Sequence, residues 1–130
     1  MKHTLSFCSI NILTDAIAEV IINKDIIVSM EMVEEYEAFL SAKFTKAFGL
    51  LVNKIHAYHF SFEAKLCINS HEHLKAIAVV NYNEKGEQVT NSIVKVRAID
   101  QWNLRTFSGL ELGWQQGFDW LKKELSATSQ

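Results

Sequence analysis

The chain has 130 residues, 48% of them apolar and 22% charged, which fits one domain spanning 1–130 and argues against a disordered chain. Its net charge of −2 supplies no global attraction for nucleic acid or anionic lipid, so neither is expected as a partner. No window approaches the roughly 18 uninterrupted apolar residues of a spanning helix, so no membrane span is expected.

Proline is absent, so element boundaries must come from caps, glycines and periodicity. The first residues, "MKHTLSFCSINILTDAI", contain neither a long apolar core nor a small-residue cleavage site, and a cytoplasmic location is expected. Leu5 to Leu13 alternates like a strand, "TDA" at Thr14 to Ala16 supplies a turn, and Ile17 to Ile22 reads as the second arm of a hairpin. Ser29 is placed to cap a helix with Glu31 in its first turn. From there Met32, Val33, Tyr36, Phe39, Leu40 and Phe44 keep helical spacing, while Glu31, Glu34, Glu35 and Glu37 form a solvated face.

"AFGLLVN" (Ala47 to Asn53) is short and apolar throughout, as in a strand covered on both faces. Ser61 then opens a helix expected to run to His73, with Ala64, Cys67, Ile68 and His71 on one stripe and Glu63 near the positive end of its dipole. "KAIAVVNY" (Lys75 to Tyr82) is another central strand. Asn83 to Asp100 fits either a hairpin arm or a helix with Val89, Ser92, Ile93, Val96 and Ile99 on one face; its length suits a helical crossover. "LRTFS" (Leu104 to Ser108) is a last short strand. Glu111 to Leu125 is a final helix, with Trp114, Phe118, Leu121 and Leu125 along one stripe. The order β-β-α-β-α-β-α-β-α predicts an α/β fold: a mostly parallel sheet of four or five strands, antiparallel at its N-terminal edge, with four helices packed on it.

That order, with "LLVNKI" running into "SFEAKLCI", then "LKAIAVV" and "RTFSGLELGWQQGFDWLKKEL", resembles the STAS-like superfamily. Anti-sigma-factor antagonists and sulfate-transporter tails belong to it, and the resemblance covers about Ser6 to Leu125. It implies a regulatory interaction domain in which a serine at the start of the helix after the third strand is phosphorylated by a partner kinase. Added charge of nearly two units there would repel the partner. Aligned on "LVN", Ser61 falls at the family's capping aspartate and Phe62 at its phosphorylated serine, so the switch residue is missing; a loop shift of one residue would instead put Ser61 in the switch position. Asn53, Ser61, Phe62 and Glu63 become the candidate interaction residues at that end.

Catalytic chemistry finds little support in the residues. There is no glycine-framed serine elbow, no glycine-rich phosphate loop, and no acidic or cysteine partner spaced to make His71 and His73 a metal site. Cys8 and Cys67 lack metal-ligand spacing and read as reduced core residues. No enzyme activity, cofactor or metal is expected. On the final helix Gly113, Gly117 and Trp120 form a strip beside the apolar stripe, either a surface for a second copy of the chain or a shallow groove with Trp120 lying across its own domain. The first expectation is therefore a non-enzymatic interaction module that binds a protein partner or itself. The alternative is a carrier of a small apolar ligand or lipid, suggested by Phe60, Phe62, Trp102, Phe107 and Trp114. Such a carrier requires a cavity of several hundred Å³.

Overall fold

A computed structural model describes residues 2–97 and 103–128, so Ile99 and Trp102 lie outside the described residues. The elements are β1 (Lys2–Thr4), β2 (Cys8–Thr14), β3 (Ile17–Ile22), β4 (Ile27–Val28), α1 (Met30–Lys43), β5 (Phe48–Lys54), β6 (His59–Phe60), α2 (Phe62–Cys67), β7 (Leu74–Asn81), α3 (Glu84–Val96), β8 (Leu104–Ser108) and α4 (Gly113–Thr128). Six strands form one mixed sheet in the order β1-β2-β3-β5-β7-β8, antiparallel across β1, β2 and β3 and parallel from β3 to β8. This is the expected α/β class, with one strand more than the four or five anticipated.

The extra strand comes from a turn inside the segment read as continuous. The Leu5 amide donates to the Cys8 carbonyl (2.8 Å), so Lys2–Thr4 folds back on Ser9–Asn11 and Phe7 is buried in the turn. The β4–β6 pair, a separate two-residue parallel ribbon, was also not foreseen. The ambiguous segment after Tyr82 is helical from Glu84 to Val96, and its Val89 and Ile93 reach the core. The helix opened by Ser61 ends at Cys67 rather than His73. Asn69 adopts a left-handed backbone (φ 58°), as a C-terminal cap residue does, and the Ile68 amide bonds the Ala64 carbonyl.

Strand order explains the layering. From β3 to β8 each crossover steps the same way across the sheet, so right-handed connections put α1, α2 and α3 on one face. Helix α4 follows the last strand and folds onto the opposite face, against β5, β7 and β8. Residue parity divides the strands accordingly. Ala18, Val20, Phe48 and Leu50 enter the core beneath α1 and α2, with Val33, Tyr36, Leu40 and Ala64. Ile17, Leu51, Ala76, Ala78 and Val80 form a second core with Leu121 and Leu125 of α4.

The acidic face of α1 is only partly solvated. Glu35 accepts hydrogen bonds from the Ser6 amide and hydroxyl. Glu37 is half-buried, and burial raises its carboxyl above 4.5, while the Ser70 and Asn69 amides and the Arg97 charge pull it back down. Arg97 is itself buried. Its guanidinium donates to the carbonyls of Lys65 (3.1 Å) and Ile68 (2.5 Å) and to the Ser70 hydroxyl (2.9 Å), so the residue directly after α3 caps the end of α2.

Candidate functional site

At the start of α2 the local signals act as their chemistry dictates. The Ser61 backbone is extended, and its hydroxyl accepts from the Ala64 amide (3.1 Å), satisfying one of the free donors of the first turn. Glu63 is exposed beside it. Phe62 is 66% exposed and Leu66, one turn further, is 45% exposed, so α2 turns an apolar pair away from the core. The ribbon leading into it carries a third exposed apolar residue, Ile27, paired with His59. Replacing Ser61 by alanine is expected to lower stability by about 1 kcal/mol, read as a lower urea midpoint with unchanged slope.

Three other expected contact residues do not form a surface with these. Asn53 is 6% exposed, because its position on β5 faces the α4 side of the sheet. Its amide donates to Glu19 (2.9 Å) and its carbonyl accepts from the Tyr82 hydroxyl (2.7 Å), while Trp114 donates to the same Glu19 oxygen (2.7 Å). This relay ties β3, β5, β7 and α4 together and leaves Asn53 no reach to a partner. Gly117 is buried against its own sheet: a β-carbon there would lie 3.3 Å from both Ala78 and Phe107. Trp120 is half-buried with its ring 6.1 Å from that of Phe107. The glycine–tryptophan strip therefore seats α4 on its own domain, and an outward dimer surface built on Gly117 is corrected to an internal contact.

The residue that sequence reasoning passed over is Lys54, the last of β5. Phe48, Leu50, Val52 and Lys54 share parity, so the lysine points beneath α3 and is only 5% exposed. Its Nζ donates to the Thr90 hydroxyl (3.1 Å) and lies 4.8 Å from the centre of the Tyr58 ring. On its inner side is an apolar cavity of about 40 Å³ among Val52, Ile68, Ile77 and Ile93. On its outer side is a cleft of about 180 Å³ lined by Asp25, His56, Tyr58, His59, Asn83 and Val89.

Burial pushes the Lys54 ammonium from 10.5 down to about 8. Between those values the unfolded chain holds the proton and the folded one has lost it. Stability therefore rises with pH through this window, and the full cost of the buried charge is present below about pH 8. The gain between about pH 7.5 and 9.5 is expected to be roughly 2 kcal/mol, and Lys54→Met should lack it. Cys8, pushed up to about 12 by burial, acts in the opposite direction over part of this range. The difference between wild type and Lys54→Met in urea melts is thus the quantity to measure.

Among the described residues no group of three or more histidines, cysteines or carboxylates could hold a metal ion. No helix of the described residues is long and apolar enough to cross a membrane. Comparison with protein-family models, curated proteins and solved structures finds no match.

Proposed function

We propose that the chain is a non-enzymatic, regulatory protein-interaction module of STAS-like type, working in the cytoplasm and binding its protein partner through α2. The observation that carries this reading is the exposed pair Phe62 and Leu66, held in place by the Ser61 cap. Large apolar side chains displayed together on a short, capped helix favour a partner surface over water. In the antagonists that the chain resembles, a serine at the position of Phe62 is phosphorylated to break the complex. With phenylalanine there, the surface keeps its apolar character and its binding is not switched by kinase action at that position. The free thiols of Cys8 and Cys67 suit a reducing compartment. The apolar cavity beneath α3 holds only about 40 Å³, and the larger grooves beside Phe107, about 320 and 510 Å³, are lined mainly by polar residues such as Asn81, Thr106, Ser108 and Glu111, which supports the module over a carrier of apolar ligands.

The test places a photo-crosslinking amino acid at Leu66 in the native cell. A discrete covalent adduct with one protein is expected, and Phe62→Glu in the same chain should remove it without shifting the melting temperature. An adduct that survives Phe62→Glu, or no adduct at all, rejects α2 as the contact.

A further inference from the structure

The cleft at the carboxyl ends of β5 and β7 encloses a cation that the described side chains do not neutralise. An ammonium can donate three hydrogen bonds, and among the described residues Thr90 is the acceptor that Lys54 reaches. Asp25 lines the same cleft, yet it forms no ion pair with Lys54 within 4.0 Å. The other titratable groups on this wall are His56, Tyr58 and His59, from the segment between β5 and α2. Asn83, another wall residue, directly precedes helix α3, which starts at Glu84. A buried charge without a counter-ion destabilises a fold, and an anion entering from the cleft would remove that cost.

We propose that Lys54 is the floor of a binding site for a small oxyanion, a carboxylate or a phosphate-type dianion, held by the buried ammonium at the base of the cleft. The cleft volume of about 180 Å³ restricts the ligand to a few heavy atoms. The site lies apart from the exposed pair on α2 and does not depend on what that pair binds.

The probes are propionate for the carboxylate class and sulfate for the phosphate class, each keeping one charge state from about pH 7 to 9. Each is titrated against chloride at constant ionic strength while the thermal midpoint is followed. One of the two is expected to raise the midpoint saturably at pH 7, which identifies the ligand class. Lys54→Met should abolish the response. A site that accepts the anion only on the ammonium form should bind about 10-fold more weakly at pH 9 than at pH 7, because a group titrating near 8 is then about one-eleventh protonated. The double variant His56→Gln, His59→Gln should keep that 10-fold factor. If Lys54→Met fails to fold, the pH comparison on the wild type decides. No saturable shift with either probe, a response that persists in Lys54→Met, or equal binding at both pH values overturns the proposal.

Discussion

Gly113→Ala should cost about 3–4 kcal/mol, a large fraction of the total stability of a domain of this size. Gly113 begins α4 directly above the end of β8, and a β-carbon on it would lie 2.1 Å from the Ser108 carbonyl oxygen and 2.5 Å from its carbon. Those atoms are backbone and cannot rotate aside. The same carbonyl already accepts from the Glu111 amide (3.1 Å), so relieving the clash opens the turn that reverses the chain. Gly117 is the internal comparison. Its nearest neighbours, Ala78 and Phe107 at 3.3 Å, can give by a few tenths of an ångström, and alanine gains about 1 kcal/mol of helix propensity there. Gly117→Ala should therefore be near neutral in urea melts. Gly117→Glu, which forces a carboxylate between α4 and the sheet, should unfold the domain. Equal effects of alanine at 113 and 117 would contradict the close approach at Ser108.

Arg97→Met should cost about 3 kcal/mol, the range for stranding the partners of a buried charge. The substitution removes the donor from the Lys65 and Ile68 carbonyls and from Ser70, and takes away a positive charge that favours the ionised form of Glu37. Because burial raises the Glu37 carboxyl above 4.5, the folded state holds its proton to higher pH than the unfolded chain does. Ionisation then lowers stability as pH rises through the folded value. Without Arg97 that loss grows. The gap between wild type and Arg97→Met should accordingly be wider at pH 7 than near pH 4.5. A gap independent of pH would detach Glu37 from the arginine and leave only the capping of α2.

The parts of this fold visible in the sequence were those decided locally. Ser29 and Ser61 act as caps through the amides three residues on, Met32 and Ala64, so their role depends on little else. Strand and helix order followed from short apolar runs alternating with helical spacing. The site was less visible because its partners are remote. Asn53 looks like a surface residue ending a strand, and only its bond to Glu19, 34 residues earlier, makes it structural. On α4, positions 117, 121 and 125 are four apart, so Gly117 shares the stripe of Leu121 and Leu125. Lacking a side chain, it carried no signal of facing inward. Lys54 was hidden by residue type: lysine is seldom buried, and its parity with Phe48, Leu50 and Val52 was the one clue.

Among the described residues α4 is the one helix on its face of the sheet, and this sets how the protein opens. Three helices share the other face, so no single detachment bares it, whereas lifting α4 uncovers Ile17, Leu51, Ala76, Ala78 and Val80 together. Amide protons of α4 are expected to exchange with solvent as a group, ahead of those of β5 and β7, whose bonds run between central strands. In that partly open form a flat row of small and branched side chains meets water, the kind of surface on which molecules aggregate. Loss of soluble protein on storage should then follow the frequency with which α4 lifts, and substitutions that tighten α4 should prolong shelf life even where they leave the global denaturation midpoint unchanged.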